Sequence, residues 1–163
     1  MESQLEYLRR RFDSEAWVGK GASAVKLSVR EFVRGGLDLA GWHAESIRQV
    51  ETEGWPPHLT SIWKASEGRP EALLSVEVFE CASASDAHEF LLRALAEFQS
   101  PEVKRQETNA VGDVSFSVPG DAALLFAYAN LVILIRNAGR ELVPVTDVAR
   151  QLQQSFANRS TQE

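Results

Sequence analysis

The sequence predicts an α+β protein built on an antiparallel sheet. After residue 57, a pattern of two short β-like runs followed by an amphipathic helix occurs twice. Turn-forming residues, EGRP at 67–70 and PGD at 119–121, separate runs as they do in hairpins. Strands linked by hairpins pair antiparallel, and such a sheet needs cover on one face only. We therefore expect about five or six strands, helices packed mainly on one face, and pseudo-duplicated strand–strand–helix units.

The first predicted element is a helix over residues 3–12. Leu5, Leu8 and Phe12 recur at helical spacing, and Ser3 precedes them as a candidate cap. Because the apolar stripe is narrow, we expect this helix to pack on the body of the protein through a small contact area.

Three shorter elements are predicted next. Residues 22–27 suit a short strand, and Ser28 and Glu31 have the spacing of a capping box for a brief helix that ends near Gly35. Residues 41–50 show neither a clear period of two nor one of 3.6, and we interpret them as a strand rather than a loop.

The first strand–strand–helix unit has one strand after His58 and a second within 71–80. In the second strand, apolar and polar residues alternate, which is typical of a strand with one buried face and one mainly polar face. Phe79 falls on the polar side of this pattern. A helix over 85–100 follows, and its inward stripe is Leu91, Ala94, Leu95 and Phe98.

The second unit follows a polar link at 99–110. A hairpin is predicted from 113–118 and 122–128, a further strand from 131–136, and a helix from 144–156. The segment LVILIRN is apolar on both sides, which suits a central strand that is covered twice. With helices on one face only, its second face would meet the N-terminal segment or a second copy of the chain.

The length predicts one domain, and the charge opposes a nucleic-acid partner. The 163 residues suit a single domain, 1–163, made of an N-terminal helical and irregular segment (1–40), a first half (41–100) and a second half (109–158). The formal net charge of −6 opposes contact with a phosphate backbone, so no nucleic-acid partner is expected.

The compartment is inferred from the cysteine count and the apolar runs. Cys81 is the single cysteine, so no intrachain disulfide is possible, and a reducing compartment is the simpler interpretation. The charged N-terminus lacks the apolar core of a signal peptide, and no run approaches the ~20 apolar residues of a membrane span. We expect a soluble, cytoplasmic protein without a membrane partner.

Reactive side chains are most concentrated at Glu80, Cys81, Asp86, His88 and Glu89. Asp86 and His88 are two positions apart on a predicted helix and point away from each other. Metal sites need three or four convergent ligands, so we predict no metal and no cofactor here. Capping and solvation explain the carboxylates more simply.

Catalytic candidates are few. Cys81 is either a nucleophile activated by a nearby histidine or a half-buried structural residue, and the second interpretation is favoured because no cysteine-protease signature surrounds it. His43, His58 and His88 lack diagnostic partner spacing. Common nucleophile, phosphate-binding and zinc-protease motifs are missing, which leaves enzyme activity uncertain and less favoured, with no catalytic residue assigned.

The tryptophans are the best hint of a functional surface. Trp17, Trp42, Trp55 and Trp63 all precede the first predicted helix of the paired units. Such rings either line a ligand site or pack the N-terminal segment onto the sheet. Trp55 lies in a predicted loop before two prolines and is expected to be partly exposed, whereas Trp63 lies in a strand and is expected in the core. Trp55 and the nearby His58 are our candidate ligand-binding residues.

Two classes of function remain open. The first is a small noncatalytic binding or protein-interaction domain, with homodimerisation through the sheet at LVILIRN as one form. The second is a small α+β enzyme or ligand-binding protein with a pocket between sheet and helices, in which His58 or His88 works with a carboxylate such as Glu77. The order of elements is typical of small bacterial domains, without a motif that names a family.

Overall fold

The computed structural model describes residues 3–17, 26–34, 37–68, 71–98, 102–107 and 110–160. They form an α+β fold with one seven-stranded antiparallel sheet and four α-helices, which confirms the predicted class. In chain order the elements are α1 (Gln4–Arg11), α2 (Val29–Val33), β1 (Trp42–Val50), β2 (His58–Ala65), β3 (Leu73–Glu80), α3 (Ala84–Phe98), β4 (Lys104–Arg105), β5 (Val114–Ser117), β6 (Ala123–Tyr128), β7 (Leu131–Asn137) and α4 (Thr146–Ser160).

The sheet has the strand order β1-β2-β3-β7-β6-β5-β4, and every neighbouring pair is antiparallel. The strands of the first half therefore meet those of the second half at the β3–β7 pair, where Glu77 lies opposite Leu134. The sheet has seven strands and not the predicted five or six, partly because the short strand β4 lies within residues 99–110, which were expected to be only a link.

The helices lie on both faces of the sheet and not mainly on one. Along β6, Leu124 and Phe126 pack in the core under α2 and α4, whereas Leu125 and Ala127 pack in a second core with α1 and α3. A strand that is apolar on both sides is stable only when both sides are covered. The first residues of the LVILIRN strand, Leu131 to Ile133, are covered on both sides within one chain, so a second copy is not needed to cover them.

The two halves share an order of elements, since a three-stranded meander precedes α3 and another, β5 to β7, precedes α4. If the two halves were related by a rotation, that rotation would exchange the antiparallel neighbours β3 and β7, and its axis would be perpendicular to the sheet. Such a rotation would place α3 and α4 on the same face of the sheet. Because α3 and α4 lie on opposite faces, the repeat is one of element order and not a rotational repeat.

The N-terminal helix behaves as predicted. The Ser3 side chain accepts a hydrogen bond from the Glu6 N–H, and the Glu6 carboxylate accepts one from the Ser3 N–H, which completes a capping box. Leu8 and Phe12 are buried, and the Phe12 ring meets the Phe116 ring edge to face at a centroid distance of 4.7 Å. Arg9 forms an ion pair with Glu89 of α3.

The predicted capping box of α2 is wrong. The Ser28 side chain makes no capping hydrogen bond, and the Val29 N–H instead donates to the Glu80 carboxylate at 2.9 Å. A distant carboxylate thus accepts from the first N–H of α2, a donor that a Ser28–Glu31 capping box would have left unpaired. Of the predicted strand at 22–27, residues 22–25 lie outside the described residues, as does Gly35, and Leu27 is not in a strand. Among the described helices, none combines the length and the apolar character needed to cross a membrane.

Candidate functional site

The sheet is incompletely covered on the α3 side of β2 and β3. Residues of these strands that face α2, such as Leu59 and Val76, are buried, whereas their alternate neighbours, such as Thr60 and Glu77, are only half-buried. This end of the sheet therefore presents an accessible face between α3 and the edge strand β1.

A crevice of about 130 Å³ lies where α3 meets this open face. It is bordered by the loop before β2, by one face of α3, and by β3 and β7. The lining residues are Trp55, Glu77, Phe79, Ala94, Glu97, Phe98, Val132, Leu134 and Arg136. The set combines an apolar floor with charged groups, an arrangement that binds an amphipathic group.

Phe79 is the centre of an aromatic cluster beside the crevice. Its ring centroid lies 5.9 Å from that of Trp55, 4.7 Å from that of His58 and 4.8 Å from that of Phe90. Trp55 and Phe90 also meet edge to face at 5.4 Å. Phe79 lies on the face of Ser75 and Glu77, as the alternation predicts, and not on the face of Leu74 and Val76. It is nevertheless only 5% exposed, because α3 and the Trp55 loop cover this end of the strand.

The Trp55 loop is fastened to α3 by Arg93. The guanidinium donates a hydrogen bond to the Gly54 carbonyl at 2.9 Å and lies 4.8 Å from the centroid of the Trp55 ring. The hydrogen bond holds Gly54 and the cation–π contact holds the adjacent Trp55, so both interactions fix the same part of the loop on α3. Trp55 remains half-buried, as predicted for a loop tryptophan, while Trp63 is 3% exposed and belongs to the core, as also predicted.

The charges around Trp55 are mainly negative. Glu77 and Arg136 form an ion pair at 3.4 Å, while Glu97 makes no ion pair within the described part of the chain. Glu51 and Glu53 line a neighbouring cleft that shares Trp55. With Arg93 included, four carboxylates and two guanidinium groups surround the tryptophan.

The two candidate ligand-binding residues lie in one cluster but have different positions. Trp55 lines the crevice, whereas His58 stacks behind Phe79 and contributes nothing to the lining. The Nδ1 atom of His58 is buried and makes no hydrogen bond within the described residues. His58 and Glu77 share a strand face, since their cross-strand partners are Phe79 and Thr60. The structure shows no hydrogen bond that couples them among these residues.

The reactive side chains between Glu80 and Glu89 have separate partners. Glu80 accepts a hydrogen bond from Val29, Glu89 pairs with Arg9, and His88 lies 3.4 Å from Asp113. Within the described residues, no three histidine, cysteine or acidic side chains converge as a metal site would require. Burial raises the pKa of the Cys81 thiol to about 12, with further contributions from Asp86 and Glu80, so little thiolate exists at neutral pH.

The His88–Asp113 pair is the one acidic contact of a histidine that is largely buried among the described residues. The two side chains are 16% and 1% exposed, and the Trp17 ring meets the His88 ring edge to face at 5.8 Å. The Trp17 ring and the Asp113 carboxylate thus enclose the His88 side chain. The contact between His88 and Asp113 connects α3 to the segment directly before β5. The partner of His88 is thus Asp113 and not Glu77.

Comparison of the chain with protein-family models, with curated proteins and with solved structures gives no match. The function is therefore inferred from the geometry of the site.

Sequence reasoning missed most of the crevice. Its lining residues Glu97, Leu134 and Arg136 come from two elements that are adjacent only in the folded chain, and so does Arg93, which holds the Trp55 loop beside it. One local signal was present: Leu134 and Arg136 share a face of β7, and the change from apolar to charged marks where the helical cover ends.

Proposed function

We propose that this protein is a noncatalytic protein-interaction domain that accepts an apolar side chain of a partner in the Trp55 crevice. The observation that carries this proposal is the position of Trp55, which is held by Phe79, Phe90 and Arg93 at the border of an open sheet face. Half-buried aromatic residues that are fixed in this way resemble the anchors of interaction hot spots.

The size of the crevice favours one side chain over a whole small molecule. Small-molecule sites usually measure about 300–1,000 Å³. A crevice of about 130 Å³ accommodates a leucine-sized group and leaves the rest of the ligand outside. The neighbouring open face of β2 and β3 then supplies contact area for the remainder of a larger partner.

The charge of the site favours a basic partner segment. Glu51, Glu53 and Glu97 surround Trp55 without ion pairs in the described residues, and the chain as a whole carries a net charge of −6. Lysine or arginine residues next to the apolar anchor would therefore increase the association rate and restrict the choice of partner. We place the protein in the cytoplasm, where its single buried cysteine needs no pairing.

Selection from random peptides displayed on phage tests this proposal. The wild-type protein is the target, and Trp55→Ala is the counter-selection. We expect peptides with one large apolar residue beside lysine or arginine, and we expect them to lose binding to Trp55→Ala. Trp42→Ala is the matched control, because Trp42 is also half-buried but packs against the core on the other face. Enriched peptides that bind Trp55→Ala as well as the wild type would contradict the proposal.

A second copy of the chain is the other occupant to test. Two acidic sites would face each other in such a dimer, so we expect a constant monomer mass in sedimentation velocity as the protein concentration rises. If the wild type forms a dimer and Trp55→Ala does not, the occupant of the crevice is a second copy of the chain and not a basic partner.

A further inference from the structure

A second cleft, of about 550 Å³, lies between the end of α1 and the edge strand β4. Three basic residues contribute to it: the adjacent Lys104 and Arg105, and Arg11, which is far from them in the sequence. The full lining is Arg11, Phe12, Asp13, Val103, Lys104, Arg105 and Glu107. Its volume falls in the range of about 300–1,000 Å³ that is usual for small-molecule sites, unlike that of the Trp55 crevice.

The basic residues of this cleft are not neutralised by ion pairs in the described part of the chain. Arg11 donates to the Val103 carbonyl at 3.5 Å, and Arg105 donates to the Phe12 carbonyl at 3.3 Å. Each guanidinium has five N–H donors, so these bonds to neutral oxygens orient the group and leave other donors available. Arg9, two residues before Arg11, is by contrast paired with Glu89.

Hydrogen bonds and strand pairing hold both walls of the cleft in place. The two arginine bonds connect α1 to the segment before β5 in both directions, and β4 pairs with β5 through Lys104 opposite Ser117 and Arg105 opposite Phe116. Phe12 anchors the other wall through its contact with Phe116. The cations are thus carried by packed elements on both walls, in an otherwise acidic protein.

We propose that this cleft binds a small phosphorylated molecule that also carries hydroxyl groups. A phosphate monoester has a charge of about −1.5 to −2 at neutral pH, and the fork of a guanidinium matches its oxygens. Asp13 and Glu107 line the same cleft and accept hydrogen bonds from hydroxyl groups rather than from the phosphate. This site is separate from the Trp55 crevice and does not depend on the function proposed for it.

Chemical-shift mapping of backbone amides with glycerol 3-phosphate tests this inference on the full chain. We expect the largest shifts at Arg11 and 103–106, and binding that weakens as salt increases. Glycerol, which lacks the phosphate, should produce no such shifts, and citrate, whose anionic groups are carboxylates in place of a phosphate, should bind more weakly. Shifts spread over unrelated basic residues, or citrate binding as tightly, would overturn the assignment.

Charge reversal at Lys104 supplies the matched variants. Lys104 is exposed on the edge strand, so Lys104→Glu leaves the core intact and should weaken glycerol 3-phosphate binding about tenfold or more. Arg140→Glu makes the same charge change at an exposed position elsewhere and should have little effect. Equal losses in the two variants would show that net charge alone controls binding and would overturn the proposed site.

Discussion

The imidazole ring of His58 stacks on the phenyl ring of Phe79, with centroids 4.7 Å apart and planes inclined by 27°. The two residues are direct cross-strand partners on β2 and β3. Since the Phe79 ring also contacts the rings of Trp55 and Phe90, this pair connects the sheet to the loop and to α3. The wall of the proposed interaction site is therefore part of the packed core.

Phe79→Ala should destabilise the protein more than Trp55→Ala. Phe79 is 5% exposed and has three ring neighbours, so its removal leaves a cavity that costs about 4 kcal/mol. Trp55 is half-buried, and the free energy of unfolding should fall by about 2 kcal/mol. Urea denaturation of both variants measures the difference. A larger loss for Trp55→Ala would mean that this residue is a core residue and not an interaction residue.

Gly112→Ala should be far more damaging than Gly68→Ala, although both glycines have positive φ, +65° and +75°. A Cβ at residue 112 would lie 2.3 Å from the Ala127 carbonyl oxygen, whereas one at residue 68 meets nothing within 4 Å. We expect losses of about 3 kcal/mol or more and about 1 kcal/mol respectively. Thermal melting of the two variants, monitored by circular dichroism, checks this; equal melting temperatures would rule out the close approach.

Asn130→Ala should detach the segment before α2. The Asn130 side chain is buried, donates to the carbonyls of Leu27 and Cys81, and accepts a hydrogen bond from the Leu27 N–H at 2.7 Å. Loss of these bonds leaves buried polar groups unsatisfied and should cost about 3 kcal/mol. Amide exchange at Leu27 should also accelerate. Asn158→Ala, at an exposed position, is the control and should change stability by less than about 0.5 kcal/mol.

Stability should decline more steeply at alkaline pH in the wild type than in Cys81→Ala. Burial raises the pKa of the Cys81 thiol from its ordinary value of 9.0 to about 12. Above pH 9 the unfolded chain releases this proton while the folded chain keeps it, so unfolding becomes more favourable as pH rises toward 12. Below pH 9 both states are protonated, and the contribution is constant. Denaturation curves at a series of pH values test this, and parallel pH profiles of the two proteins would contradict the assignment.

The local features of the fold were predictable because they depend on neighbouring residues. The alternation in β3, the helical stripe of α3 and the Ser3 cap each arise from a short stretch of chain. Alternation shows which residues share a strand face but not which face is covered. The alternation thus places Phe79 correctly on the face of Ser75 and Glu77, but it does not indicate that α3 and the Trp55 loop bury this end of the face.

The candidate site was predicted only in part for the same reason. Trp55 was identifiable from its own loop and from the prolines that follow. Arg93 and Arg136, in contrast, reach the site through the packing of α3 on β7, and no spacing in the chain indicates that they are neighbours. The start of α2 shows the same limit, since its first N–H donates to a carboxylate more than fifty residues away and the Ser28 side chain makes no cap.

The most direct test of the Trp55 site is an amide and indole shift titration with the blocked tripeptide Lys-Leu-Lys, compared with Glu-Leu-Glu. The account predicts that the basic peptide shifts the Trp55 indole together with amides of Val132 and Leu134, and that Trp55→Ala abolishes these shifts. The acidic peptide should leave them unchanged, because it carries the same apolar side chain with the opposite charge. Shifts that map elsewhere, or that are equal for both peptides, would contradict an acidic site built to hold a basic partner's apolar anchor.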